Sequence, residues 1–180
     1  MKKAVVLIGH GGIPSDFPAD KVGRLKALEA QRQRMGTPVT PEEHGLDHEI
    51  RTWPRTPKND PFCFGVRAIA AKLAPQLPET KLVLAYNEFC GPSIEQAVEM
   101  LVSEGFEQIK LLTTMFTPGG VHSEFEIPKI VRQLQVKYPN ASIEYPWPFN
   151  LDHVAHFLAA QIVDTIPQIS SPLLAQTPGA

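Results

Sequence analysis

The 180-residue sequence has few cysteines, no excess charge of one sign and no long apolar run. Its two cysteines, Cys63 and Cys90, lack CxxC spacing and therefore predict no disulfide framework. A formal net charge of −2 leaves no basic excess for binding nucleic acid. No apolar run approaches the ~20 residues that a membrane span needs. We therefore predict a cytoplasmic protein without nucleic-acid or membrane partners.

Several common motifs are also missing. The turn 9-GHGG-12 lacks the third glycine of a dinucleotide loop and the Gly-Lys-Ser/Thr of a P-loop. The Gly-x-Ser-x-Gly elbow of many hydrolases and an Arg-His-Gly phosphohistidine motif do not occur. These absences disfavour phosphate binding and the common hydrolase mechanisms, and we predict no organic cofactor.

Strand-like apolar runs alternate with amphipathic helices along most of the chain. Such alternation implies right-handed crossovers and a parallel sheet, and continuously apolar runs imply helices on both faces. The pair Ser93 and Gln96 has the pattern of a capping box, and Gly105 suits the end of the same helix. We predict an open α/β sheet of about four parallel strands. The predicted strands are residues 4–9, 81–86, 108–116 and 142–145, and the other predicted helices are residues 60–77, 128–138 and 151–166. In the first of these helices we expect Phe62, Val66, Ile69, Ala70 and Leu73 to face the core.

Residues 13–60 interrupt this alternation with many prolines and charges. They predict one weakly amphipathic helix, over about residues 18–35, and too few apolar residues for a core of their own. We call this segment the excursion and predict that it forms a wall or lid within a single domain, residues 1–166. Packing away from the pocket and a role in a dimer interface are the alternatives. Residues 167–180 have no periodicity and predict a loose tail.

Three residues that can bind metal follow three of the predicted strands. His10 follows the first strand, Glu88 the second and His122 the third. Because ligands of open parallel sheets bind beyond the carboxyl ends of the strands, we expect these side chains to converge. Two imidazoles and a carboxylate suit a divalent transition metal. Next to the histidines, four glycines would allow close approach of backbone and ligand: Gly11, Gly12, Gly119 and Gly120.

Each of these residues also has a simpler interpretation. Either histidine taken alone could cap a helix or bond to a carbonyl group. Glu88 could be an ordinary carboxylate that is stabilised by the dipole of the helix that follows. We interpret Glu126, four residues after His122, as a capping or supporting group, since Pro128 makes an early helix start uncertain. The remaining histidines are predicted at the surface: His44, His48, His153 and His156.

Three segments, 7-LIGHGG-12, 85-AYNEFCGPSIEQAVEML-101 and 111-LLTTMFTPGGVHSEFEIPKI-130, resemble the small class II tetrapyrrole chelatases of the CbiX/SirB type. The resemblance covers the first strand and residues 60 to about 165. It implies a flavodoxin-like, chelatase-like α/β sandwich and a homodimer. It also implies that His10 and His122 match the metal-binding histidines and that Glu88 matches an acidic active-site position.

The resemblance further implies a reaction, namely insertion of Co²⁺, or of Fe²⁺ or Ni²⁺, into sirohydrochlorin or a related tetrapyrrole for cobalamin or siroheme biosynthesis. The metal is then a substrate. Because the tetrapyrrole carries many carboxylates, we consider the basic run 21-KVGRLKALEAQRQR-34 a candidate rim, with a solvated helix face as the equal alternative. Phe17 and Trp53 of the excursion would offer apolar contacts to the flat macrocycle. Two other functions stay open. The chain could be a nonenzymatic carrier of metal or tetrapyrrole, or another α/β enzyme in which His10 and His122 act as acid and base.

Overall fold

The computed structural model describes residues 1–165, which form four strands and six α-helices. A 3₁₀ turn, Ala74–Gln76, follows the third helix, and a π-helical turn, His122–Glu126, precedes the fifth. In chain order the elements are β1 (Lys2–Gly9), α1 (Ala19–Met35), α2 (Pro41–Thr52), α3 (Pro61–Leu73), β2 (Thr80–Tyr86), α4 (Ile94–Ser103), β3 (Phe106–Thr113), α5 (Ile127–Lys137), β4 (Ser142–Glu144) and α6 (Leu151–Thr165).

The four strands form one parallel sheet in the order β2-β1-β3-β4. The central strand β1 pairs with β2 on one side and with β3 on the other. Successive side chains of β1 face opposite sides of the sheet. Val6 and Ile8 pack into the cluster formed with α4 and α5, whereas Leu7 packs with Val66 of α3. The predicted fold, an open parallel α/β sheet with helices on both faces, is confirmed.

The helix starts follow the local sequence closely. The Ser93 side chain accepts from the Gln96 N–H (3.3 Å) while the Gln96 side chain accepts from the Ser93 N–H (2.9 Å), which completes the predicted capping box. The Asp60 carboxylate caps α3 by accepting from the Cys63 N–H at 2.9 Å. Each cap satisfies an amide group that the first helical turn leaves without a partner.

The predicted core face of α3 is partly wrong. Phe62 and Ile69 are 44% and 52% exposed, and the buried positions are Cys63, Val66 and Ala70. These three residues recur at helical spacing and pack against Tyr86 of β2. The α-helix also ends at Leu73, earlier than the predicted residue 77, because the chain tightens there into the 3₁₀ turn.

The excursion folds into a helical hairpin, of which the sequence predicted only α1. Helix α2 begins after Thr40, whose hydroxyl accepts from the Glu43 N–H at 3.1 Å. Phe17, Leu25 and Ile50 of the excursion are buried together, and Phe89, which lies outside the excursion, packs against them. That the excursion has no core of its own stays a prediction. Ion pairs join the two helices: Lys21 with Glu49, Arg24 with Glu42 and Arg32 with Glu43.

A second compact unit begins at Pro148, after the unit Met1–Trp147. Within it, the Asn150 side chain accepts from the N–H groups of Asp152 (2.8 Å) and His153 (3.2 Å) and so caps α6. The single domain over residues 1–166 stays a prediction, and the predicted tail, residues 167–180, lies outside the described residues. Among residues 1–165 the structure has no helix that is both long and apolar enough to cross a membrane.

Candidate metal centre

His10, Glu88 and His122 lie together at one edge of the sheet. They follow β1, β2 and β3, whose parallel pairing places all three carboxyl ends on the same side. One nitrogen or oxygen atom from each residue lies within 4.8 Å of those of the other two. The side chains are partly exposed, at 37% for His10, 33% for Glu88 and 27% for His122. The structure therefore brings the three predicted residues together in a site that a ligand can reach.

The turn after β1 depends on Gly11. Its φ of +99° lies in the region that favours glycine, and a Cβ atom there would lie 1.8 Å from the Glu88 carbonyl oxygen. This close approach lets the N–H groups of Asn87 and Glu88 donate to the carbonyl groups of Gly9 (3.0 Å) and His10 (2.8 Å). The backbone pairing of β1 with β2 thus continues past the strand ends, and it fixes the separation of His10 and Glu88.

His122 is positioned by the π-helical turn. The sequence left open whether the helix starts before Pro128. In the structure it does, since Val121 already has helical dihedral angles and Glu126 continues directly into α5. The wider turn places His122 and Glu126 side by side, with 2.7 Å between Nδ1 and Oε2. Such π-helical turns occur often at functional sites. The supporting role predicted for Glu126 fits this contact.

The partners of His122 fix its tautomer. An ionised carboxylate only accepts, so the 2.7 Å contact places the proton of the ring on Nδ1. The Asn87 amide nitrogen lies 3.0 Å from Nδ1 and 2.9 Å from Glu126 Oε2, and it donates to the carboxylate because Nδ1 already carries a proton. Burial disfavours the charged form of Glu126, but the hydrogen bonds from His122 and Asn87 outweigh it and lower the pKa of this carboxyl. In the neutral form of this ring, the lone pair is therefore on Nε2.

His10 also carries a proton on Nδ1, but a different group accepts from it. Its Nδ1 lies 2.8 Å from the Gly11 carbonyl oxygen, which only accepts, so Nδ1 carries the proton. In the neutral form of His10 the lone pair is therefore also on Nε2, which lies 3.2 Å from Nε2 of His122. Two lone pairs at this distance repel each other unless a positive charge lies between them. A single cation between the two nitrogens, either a proton or a metal ion, would remove this repulsion.

The spacing of the two nitrogens fits a transition metal. Ligand atoms about 2.1 Å from a metal are roughly 3.0 Å apart at a right angle and roughly 3.4 Å apart at the tetrahedral angle. The observed 3.2 Å falls between these values. Glu88 Oε2 lies 3.8 Å from His10 Nε2, so a small rotation of this side chain would add an oxygen ligand. Three protein ligands would leave coordination positions open, as in catalytic rather than structural sites.

The four predicted glycines differ in their surroundings. Gly11 is required by the backbone contact with Glu88, and a Cβ on Gly12 would lie 3.1 Å from Asp60 Oδ1. Gly119 has a φ of +86° but no atom within 4 Å of its Cβ position, and a Cβ on Gly120 would make only ordinary contacts. Close packing therefore explains why residues 11 and 12 are glycines. Ligand binding by the four glycines stays a prediction.

A second group of potential ligands, formed by Asp60, Cys63 and Cys90, is fully buried. Asp60 is already used, since one oxygen caps α3 and the other pairs with Arg55. Burial raises the pKa of Cys90 to about 12, which keeps this thiol protonated near neutral pH. The thiol sulfurs are 3.9 Å apart, and Cys63 lies 3.2 Å from the Tyr86 hydroxyl. The cluster therefore belongs to the core between α3 and the Glu88 loop.

Most of the other residues predicted to contact a substrate contact other residues of the excursion instead. Phe17 is buried and packs edge-on against Trp53, with 5.0 Å between the ring centroids. Of the basic run, Lys21, Arg24 and Arg32 pair with acids of α2. The four histidines predicted at the surface, His44, His48, His153 and His156, are exposed.

Comparisons with known proteins find one family and one fold. The model of the CbiX family matches residues 62–165. Among solved structures, the chain is similar to SirB from Bacillus subtilis with Fe³⁺, at 16% identity and a TM-score of 0.53. That match covers 93% of this chain and 49% of the SirB chain, so the chain spans about half the length of that protein. No curated protein matches.

A further solved structure has similar length. It is a CbiX protein from Marinobacter aquaeolei VT8, with a suggested role in cobalamin (vitamin B12) biosynthesis. The identity is 14% and the TM-score 0.50, and the match covers 91% of this chain and 97% of that one. At these identities the two structures support the α/β fold alone. The family match includes Glu88 and His122, whereas His10 lies before it.

Proposed function

This chain belongs to the CbiX family, and from that premise we propose that it inserts a divalent metal ion into a tetrapyrrole at the site of His10, Glu88 and His122. One observation carries the proposal. The two Nε2 atoms face each other at 3.2 Å, and the partners of the two Nδ1 atoms leave each Nε2 a lone pair.

The site can hold the metal substrate and still release it. His10 and His122 supply neutral nitrogen ligands, and Glu88 supplies one negative charge, so the bound divalent ion keeps a net positive charge. Open positions remain for the pyrrole nitrogens.

Insertion also requires that two pyrrole N–H protons leave the macrocycle. An imidazole that has released the metal is a base at neutral pH, so each histidine can take a proton as its metal bond breaks. Glu126 then stabilises the cation formed on His122, because its carboxylate already accepts from Nδ1 at 2.7 Å. Neither cysteine takes part, since both thiols are buried in the core.

We propose sirohydrochlorin or a related tetrapyrrole as the second substrate, with a route to cobalamin or siroheme. Apolar contacts for a flat macrocycle are available from Phe62 and Phe125, which are 44% and 68% exposed. Phe62 adjoins Gly12, and Phe125 lies in the π-helical turn between His122 and Glu126. They replace Phe17 and Trp53, which the sequence favoured. Co²⁺ is the proposed metal, with Fe²⁺ and Ni²⁺ as alternatives that the same ligands accept.

We further propose that the excursion forms a wall of the substrate pocket. Lys26 of α1 lies 5.8 Å from the ring of Phe89, the residue after Glu88. Burial, and next the negative charge of Glu88, raise the pKa of Glu29 on the same helix, as expected if α1 lies near the site.

We also propose that the chain forms a homodimer. Static light scattering should then give about twice the chain mass of 19.9 kDa. The cytoplasmic location stays a prediction.

Absorption spectroscopy tests the proposed reaction. Purified protein is incubated with sirohydrochlorin and Co²⁺, Ni²⁺ or Fe²⁺, and the conversion of the free macrocycle to its metal complex is followed against the uncatalysed rate. Acceleration that saturates with macrocycle concentration supports the proposal. Binding of metal and macrocycle with no acceleration for any of the three ions would instead identify a carrier.

A further inference from the structure

The loop that carries Glu88, residues 87–91, is held from two sides by hydrogen bonds. On the side of the sheet, the N–H groups of Asn87 and Glu88 donate to carbonyl groups at the end of β1. On the other side, the loop carbonyl groups accept from two arginines of the excursion, Arg51 and Arg55. The loop has a backbone cost, because Phe89 adopts a φ of +52° without being glycine. Its conformation therefore depends on these external bonds.

Arg51 of α2 bridges the two ends of the loop. Its Nη1 donates to the Cys90 carbonyl at 3.0 Å, and its Nη2 donates to the Asn87 carbonyl at 3.1 Å. The Arg51 backbone carbonyl in turn accepts from the Gly91 N–H at 3.2 Å. Nε of Arg51 is bound to Asp47 at 2.8 Å, which fixes the guanidinium plane. The two loop carbonyls flank Glu88, so one planar group spans the segment from which the carboxylate projects.

Arg55 connects this loop with the turn of His10. It donates to the carbonyl groups of Phe89 and Gly12, the latter at 2.7 Å, and it pairs with Asp60. Arg55 and Asp60 are 7% and 2% exposed, so this pair is part of the buried framework. Arg51 is 18% exposed and has an accessible partner in Asp47, which makes it the arginine that can be changed without burying a lone charge.

We propose that Arg51 is a positioning residue for Glu88, and that the excursion thereby holds the third ligand of the metal centre in place. This inference rests on the proposed function, in which Glu88 binds the metal. Lysine in place of Arg51 keeps the charge and the contact with Asp47, but a single ammonium group cannot span the carbonyls of residues 87 and 90. Groups that orient a metal ligand are typically worth about 10–100-fold in metal affinity.

The test is a titration of the full chain with Co²⁺ alone, followed by visible absorption. Arg51→Lys should weaken Co²⁺ binding about tenfold, and Arg24→Lys should leave it unchanged. Arg24 is the matched control because it also forms a two-bond pair in the excursion, with Glu42, and has no contact with residues 87–91 among its hydrogen bonds. In a Glu88→Gln background, Arg51→Lys should cause no further loss, because the ligand that it positions is gone.

Hydrogen exchange of the amides of residues 87–91 separates this inference from the proposed function. Faster exchange in Arg51→Lys but not in Arg24→Lys, together with the non-additive loss of Co²⁺ affinity, supports it. Equal losses in both backgrounds, or unchanged affinity despite faster exchange, would overturn it. If the unmodified chain binds no Co²⁺, the proposed function fails, and the exchange data alone then decide whether Arg51 holds the loop.

Discussion

Gly11 and Glu88 approach each other so closely that a Cβ atom on Gly11 would lie 1.8 Å from the Glu88 carbonyl oxygen. We therefore predict that Gly11→Ala separates the two loops and destabilises the protein by at least about 3 kcal/mol. Gly119→Ala is the control. Gly119 also has a positive φ, +86°, but its Cβ position is open, so only the backbone strain of about 1–2 kcal/mol applies. Denaturant unfolding of both variants measures the difference, and equal losses would contradict it.

Removal of either histidine should abolish chelation. We predict that His10→Ala and His122→Ala each lower metal affinity by more than about 100-fold, since a direct ligand is worth more than the groups that orient it. The free energy of unfolding should change by less than about 1 kcal/mol, because both side chains are partly exposed. His44→Ala, at an exposed position of α2, should alter neither quantity. Retained turnover in both site variants would exclude these residues as the metal ligands.

The convergence of His10, Glu88 and His122 could be predicted because it depends on sheet topology alone. Once β1 is known to lie between β2 and β3 in a parallel sheet, the residues after all three strands must share one edge. The capping box of α4 could likewise be predicted, since both of its residues lie within one helical turn. Such features are encoded locally or by simple packing rules.

Other features depend on contacts distant in the sequence, or on a local signal that neighbouring residues obscure. The core face of α3 was mistaken because Phe62 and Cys63 are both apolar, and only packing against Tyr86 decides between them. Helix α2 had a readable signal, Thr40 followed by proline and Glu43, which the prolines of the excursion obscured. The bonds from Arg51 and Arg55 to the Glu88 loop span more than 30 residues of sequence and could not be anticipated.

The two cysteines should be unreactive in the folded protein. Burial raises the pKa of Cys90 to about 12, so at pH 8 its thiol is almost entirely protonated, and the thiolate is the form that reacts. Because the pKa of Cys90 is raised, the reactivity of this thiol should increase only as the pH rises towards that value, and Cys63 is protected by its complete burial. A disulfide reagent at pH 8 should detect close to no thiol in the native protein and both thiols after denaturation. Rapid reaction of one thiol in the native state would show that the cluster opens.

Glu126→Gln tests whether the carboxylate sets the tautomer of His122. The carboxylate only accepts, so it keeps the proton on Nδ1, 2.7 Å away, and leaves Nε2 free for the metal. The amide of glutamine can also donate, and a donated bond to Nδ1 would move the proton to Nε2, where it competes with the metal. We expect Co²⁺ affinity to fall about tenfold. Glu99→Gln, which removes a carboxylate from an exposed pair with Lys137, is the control. Imidazole ¹⁵N shifts of metal-free protein should show the Nδ1–H form of His122 in the unmodified chain and a mixture of both forms in the variant. An unchanged tautomer with reduced affinity would mean that Glu126 acts by its charge and not by orienting the ring.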